Sequence, residues 1–482
     1  MKDLSSIIKE NKNTILFCIM IVGSFAILFT FFMYICPLIP ITTDDWFYLG
    51  LMRKLPLPMT GVTNPIKVLP EVLEPLCGGF ASYVLYPITK DYILSINIIS
   101  AFVVSFFIMF MIVEFKKYVS KCYGLSERIS IVFSVLFLAL FFWLFKNHNE
   151  SENMYALWAT DLNCYYNYII PGCLNAGLVF LLKCHEDEDI KLFDKDDFVI
   201  LILVYFSIFS SVQLSIILAS YSFIRACRVY KERKKIDRFA IVVFGVWCVS
   251  LIFEFNGNRA HDVMRDGFRR EFISVLHSLV ELLRTINTLY WLFFFIGSTI
   301  FAFIVIGKKK GSMITDRYLF EWIQLVIIVI YLVFTYSLAG ARYISRPDAM
   351  WAFLFQFISV SILSWTMICK HVERIKTFIA FFTLIIVLDC FNLNNPYIHY
   401  YYGKMRLKEF DDYIIEEMVK ADDLGKDKVV LNVPLQNGSY NWPQSSGLEY
   451  ALPRSLYYNG VVKRMIEVHI EPSEGTRAYY YR

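Results

Sequence analysis

Two adjacent carboxylates, Asp44 and Asp45, stand in the run PITTDDWFYLG, about eight residues beyond the first long apolar stretch. Trp46, Phe47 and Tyr48 follow them. At a membrane surface such a pair is partly desolvated and mutually repelling. Both effects lift one pKa toward the range in which a carboxylate serves as a general base. The run Thr42-Thr43-Asp44 is equally a good helix N-cap, which gives the same residues a purely structural reading.

Three further polar runs separate apolar stretches. Residues 147–172 (NHNESENMYALWATDLNCYYNYIIPG) hold His148, Glu150, Glu152 and Asp161. The first part predicts an amphipathic helix lying on the membrane, with Met154, Leu157 and Trp158 facing down. The spacing of His148, Glu150 and Glu152 suits a divalent metal but also a solvated polar face. No metal and no other cofactor is assigned. Residues 253–271 (FEFNGNRAHDVMRDGFRRE) place turn chemistry, Asn256-Gly257-Asn258-Arg259, ahead of His261, Arg265, Arg269 and Arg270. Arg265 and Arg269 are four apart, on one face of a helix. Residues 340–351 (GARYISRPDAMW) bring Arg342 and Arg346, with Pro347 expected to open the next helix. Arginines receive phosphate through planar, bidentate hydrogen bonds. Anchoring to lipid head groups is their competing role.

These residues need elements to hold them, and the composition says which kind. Of 482 residues 57% are hydrophobic, 19% charged and 17% aromatic, with a mean hydropathy of +0.50. Soluble domains carry about 45–50% apolar and about 25% charged residues. The excess excludes a disordered chain, a coiled-coil rod and a disulfide scaffold. The net charge of +4 is too small, and too evenly spread, to call for nucleic acid. Eleven cysteines lie mostly in apolar runs, as small buried hydrophobes do.

A helix crossing about 30 Å of hydrocarbon needs roughly 20 apolar residues. Eleven runs approach that: 14–36, 93–115, 129–145, 164–182, 197–209, 213–224, 239–255, 286–307, 318–340, 349–369 and 377–393. The fifth and sixth are read as a hairpin broken at Ser210-Ser211, with one long tilted helix as the alternative. Of the 47 Lys and Arg, 24 then fall in the loops assigned to the cytoplasmic side, 12 in the opposite loops and 11 in the tail. Basic residues favour the cytoplasmic side of short loops. The expectation is therefore an α-helical polytopic membrane protein with its amino terminus cytoplasmic. Residues 1–393 form the transmembrane part and residues 394–482 an extracytoplasmic α/β appendage. That appendage should have a helix from about Lys404 to Lys420 and a strand at 428–435.

The order of these motifs resembles the GT-C superfamily of integral-membrane glycosyltransferases: an acidic pair in the first outer loop, many spans, then an external α/β tail. TTDDWFY, CYYNYIIPG, FNGNRAHD, SRPDAMW and YYNGV are similar to a group of bacterial multi-spanning proteins placed near that superfamily. The resemblance implies a polyprenyl-phosphate-linked sugar as donor and a cell-envelope glycan, or a protein, as acceptor, on the outer face of a plasma membrane. It implies that Asp44 or Asp45 is the catalytic base and that Arg259 or Arg342 holds the lipid phosphate. It leaves a required metal in doubt, since no second acidic pair stands out beyond Glu150 and Glu152. A lipid-linked glycan polymerase or ligase, and a transporter or flippase, are the alternatives. Transporters usually keep ionisable groups at the bilayer midplane, whereas Glu254, Glu321 and Asp389 lie near span ends.

Overall fold

The computed structural model describes residues 4–40, 42–144, 147–149, 152–159, 161–186, 198–257, 268–284, 286–307, 313–339, 344, 346–391, 397–434 and 447–473. Among the described residues each of the eleven apolar runs lies mostly on helix. In chain order these are α1 (Leu4–Thr30), the short α2 (Thr43–Gly50), α3 (Val68–Phe80), α4 (Tyr86–Thr89), α5 (Tyr92–Tyr123) and α6 (Glu127–Trp143). Then come α7 (Leu162–Cys164), α8 (Ile170–Cys184), α9 (Phe198–Ile208), α10 (Val212–Arg233), α11 (Arg238–Phe255) and α12 (Phe268–Leu283). The last are α13 (Ile286–Gly307), α14 (Met313–Ala339), α15 (Trp351–His371), α16 (Glu373–Cys390), α17 (Tyr397–Asp423) and α18 (Leu448–Tyr458). Among the described residues nine helical stretches are long and apolar enough to cross a membrane.

α8 and α15 are buried nearly all round and form the centre of the bundle. A helix that is apolar on every face belongs in such a place. α1, α11 and α13 stand at the rim and turn Ile15, Ile19, Val22, Ile241, Val249, Phe293 and Ile300 outward. So broad an exposed apolar belt suits hydrocarbon rather than water. The hairpin reading of 197–224 holds. Ser211 is extended, and Ser210 Oγ donates to the Ser207 carbonyl at 2.8 Å where α9 stops.

Loops assigned to one side meet one another. At a basic end Arg228 and Arg317 share Glu186, Arg317 donates to the Cys122 carbonyl, and Lys370 Nζ donates to the Tyr123 carbonyl. At the opposite, acidic end Asn163 N–H donates to Asp45, Trp143 Nε1 donates to Asp389 at 2.7 Å, and Lys408 pairs with Asp91 at 2.8 Å. The stretch Val68–Thr89 is one of the nine apolar helices, although the sequence reading left it within an outer loop. Both of its ends belong to the acidic end. Leu69 N–H donates to the Phe209 carbonyl at the α9–α10 turn, and α4 runs straight into the start of α5. In its middle a Cβ on Gly78 would lie 2.5 Å from the Leu49 carbonyl oxygen, so α2 packs there backbone to backbone.

Two local expectations are corrected. Residues 147–158 are not an amphipathic helix. β1 (Asn147–Asn149) pairs antiparallel with β2 (Glu152–Met154), and Leu157 and Trp158 are buried in protein rather than turned to lipid. Tyr155, stacked on Phe142 and edge-on to Phe31, anchors that burial. Pro347 does not open a helix: residues 347–350 form a turn and α15 begins at Trp351. In the tail, β3 (Lys428–Pro434) lies parallel to β4 (Glu467–Ser473). α18 packs on α2, where Asn459 at its end donates to the Leu49 carbonyl at 3.1 Å.

Candidate active site

Asp45 is the third residue of α2. From there its Oδ2 reaches back to accept the Thr42 N–H at 2.8 Å, which closes the helix start. Its Oδ1 accepts the Asn163 N–H at 2.6 Å. The side chain is fully buried and joins the first outer loop to the segment before α8. Asp44, one residue earlier, is exposed. A 100° step per residue around a helix separates their roles: one carboxylate is inside and bonded, the other is outside and accessible.

Asp161 caps α7, its Oδ1 accepting the Cys164 N–H at 2.8 Å. Burial lifts its carboxyl above the usual range, against the opposing pull of the Cys164 hydrogen bonds and the Arg346 charge. Arg346 makes a forked contact to Asp348, Nε to Oδ1 at 3.1 Å and Nη2 to Oδ2 at 2.5 Å. Its Nη2 also reaches Cys164 Sγ at 3.1 Å. The Arg346 guanidinium lies 5.6 Å from the ring centre of Tyr168, and the Lys67 ammonium lies 5.7 Å from the same ring. Two cations from distant parts of the chain thus share one aromatic side chain beside Asp161.

Two carboxylates join this site that sequence reasoning missed. Glu74 of α3 is fully buried, neither of its oxygens has a hydrogen-bond partner among the described residues, and it feels the negative charge of Asp45, Asp161 and Asp44. Asp411 of α17 is also fully buried, and among the described residues neither of its oxygens has a hydrogen-bond partner. Burial pushes its carboxyl well above the ordinary range, Asp412 and Asp45 add to that, and Lys408 opposes it. Glu74 had a legible signal, since an ionisable residue inside an apolar run is costly to keep. Asp411 had none, because KEFDDYIIEE reads as a solvated helix.

Asp411 gives a pH dependence with a definite sign. A carboxyl raised in the fold favours the protonated form there. Its stabilising contribution is complete below about pH 4, the unfolded value, and is lost as pH rises toward the raised value. Asp411→Asn is therefore expected to gain stability relative to wild type at pH 8 and to lose that advantage at pH 4. Thermal unfolding of both proteins in neutral detergent at the two pH values reads this directly. A pH-independent gap would show that Asp411 titrates normally.

Asp44, Asp45, Asp161 and Arg346 are thus drawn to one end of the bundle from three separate loops. Glu150, Asn258, Arg259, His261, Arg265 and Arg342 lie outside the described residues. His148 and Arg269 lie on described backbone, in β1 and at the start of α12, without described side chains. The chain enters the 258–267 stretch at this same end, where a Cβ on Gly257 would lie 2.9 Å from the Pro65 ring. Among the described residues no three His, Cys, Asp or Glu side chains are grouped to hold a metal ion.

No known protein family matches the chain, and neither the curated proteins nor the solved structures contain a significant match.

Proposed function

We propose that the protein is a membrane glycosyltransferase that moves a sugar from a polyprenyl-phosphate donor to a cell-envelope glycan on the outer face. Its acidic end faces outward and eleven helices cross the bilayer. The observation that carries this reading is the placement of an accessible carboxylate, Asp44, at the same end of an apolar bundle as Arg346 and Lys67, which share the Tyr168 ring. An acceptor hydroxyl attacks the anomeric carbon and passes its proton to Asp44. The bond from that carbon to the phosphate oxygen breaks, with inversion, and the lipid phosphate leaves with the bonding pair. Arg346 and Lys67 balance the charge that develops on it. Arg259 and Arg342 are the further candidates for that role. Asp45 holds the loop that carries Asp44, and Glu74 places a further carboxyl behind the acceptor. The donor's prenyl chain lies between helices, which accounts for the share of the chain given to the membrane.

The test is binding of a polyprenyl phosphate to purified protein, with and without Arg346. One charge-assisted hydrogen bond contributes about 1.5–3 kcal/mol. Arg346→Ala should therefore weaken binding roughly ten- to a hundred-fold, with Arg259→Ala and Arg342→Ala measured alongside. A wild-type protein with no affinity for polyprenyl phosphate would sink the reading.

Orientation is tested separately by thiol labelling in intact cells. Lys426, exposed between α17 and β3, and Lys234, exposed in the α10–α11 turn, mark the two ends. A cysteine replacing Lys426 should react with an impermeant reagent from outside, and one replacing Lys234 only after permeabilisation. The reverse pattern inverts the topology and removes the outer-face site.

A further inference from the structure

We propose that the basic end, opposite the carboxylates, holds a second and separate binding site for a phosphate group, supplied by an anionic membrane lipid. A cavity opens there between the ends of α8, α10 and α14, walled by Lys183, Glu186, Tyr221, Arg225, Arg228 and Arg317. The four cations are not fully answered. Lys183 pairs with Glu321 at 2.7 Å, and Arg225 with Asp237 at 2.7 Å. Glu186 alone serves two arginines, Arg228 at 2.8 Å and Arg317 at 3.8 Å. Among the described residues the cavity wall and its ion-paired carboxylates thus carry one positive charge in excess, while a further carboxylate, Glu232 of α10, acts on Arg228 from outside the wall.

That excess is not spread in water. The side chains of Arg225, Arg228 and Arg317 are 5%, 15% and 14% exposed. A charge held away from water calls for a counter-charge. Each guanidinium has about five N–H donors. Arg225 gives one to Asp237 and one to the Tyr221 hydroxyl at 3.3 Å, and Arg317 gives one to the Cys122 carbonyl at 3.2 Å. Donors therefore remain for an anion with several acceptor oxygens. Convergent guanidinium forks match phosphate. The lipid source follows from the apolar part of the lining. Ile224 and Phe320 line the same cavity, and Arg228 lies 5.3 Å from the centre of the Phe320 ring. Basic and apolar side chains around one cavity at a helix-bundle end suit a head group whose chains lie along the bundle.

The experiment uses the full chain, purified in a neutral detergent and titrated with short-chain phosphatidic acid, the matching phosphatidylcholine and inorganic phosphate. Native mass spectrometry and the unfolding temperature are the readouts. Phosphatidic acid should be retained and raise the unfolding temperature, with phosphatidylcholine at least tenfold weaker. Inorganic phosphate acting as strongly as phosphatidic acid would assign the site to a soluble phosphate and overturn the lipid source. Arg317→Gln and Arg228→Gln should each weaken retention roughly ten- to a hundred-fold. A wild-type protein that discriminates none of the three ligands overturns the proposal, whatever the variants do. So does retention unchanged in both variants.

Discussion

Asp44→Asn is expected to lower sugar transfer by about 10²–10⁴-fold, the usual cost of losing a positioned general base, while the unfolding temperature stays at the wild-type value. Asp44 is exposed, so an amide of the same shape at that place changes proton affinity and little else. The neighbouring substitution behaves differently. Asp45 is fully buried and accepts two backbone N–H groups, from Thr42 and Asn163. Hydrogen bonds to a charged group contribute about 1.5–3 kcal/mol each. Asp45→Ala should therefore cost about 3 kcal/mol or more and lose activity through the loop it holds. Transfer assays and thermal unfolding of both variants separate the roles. Equal loss of activity at wild-type stability in both would return Asp45 to the base position. Near-normal turnover of Asp44→Asn would remove the pair from the mechanism.

Glu74→Met should leave the protein more stable and much less active. A carboxyl with both oxygens buried and unpartnered carries a desolvation cost of about 1–3 kcal/mol or more. An apolar side chain of similar volume removes that cost and fills the same space. Retaining such a group against its cost is characteristic of sites where strain serves function. Transfer is accordingly expected to fall by about 10²-fold or more. The decisive readout is the pair of numbers together. Raised stability with unchanged transfer would make Glu74 a mere defect of packing. Lowered stability would mean that the carboxyl has partners in the membrane-embedded protein.

The sequence by itself determined most of the long apolar helices and their sorting to two ends. Apolar runs of membrane length became helices because hydrocarbon leaves the backbone few other ways to satisfy its own hydrogen bonds. The excess of Lys and Arg in alternate loops marked which loops share an end, and Arg228 and Arg317, from two such loops, do meet there on Glu186 of a third. The strand at 428–434 followed from β-branched residues and turn signals. The Ser210-Ser211 step broke the helix as read, since a polar pair with hydroxyls free to bond the preceding turn offers the backbone an alternative.

Tertiary structure alone decided which of those residues share a site. Spacing could not choose between Asp44 and Asp45, because one residue of rotation on α2 exchanges burial for exposure, and only the packing of α2 against Asn163 fixes it. It could not bring Asp411 toward Asp45 or Arg346 onto Cys164, the latter pair 182 positions apart and the former farther still. Helical periodicity records which face of each helix is apolar, and here nearly every face is. When lipid and protein neighbours are both apolar, the pattern no longer tells one from the other. Close contacts such as Gly78 against the Leu49 carbonyl then select the partners. The carboxylates and cations of the acidic end meet as a consequence of that choice.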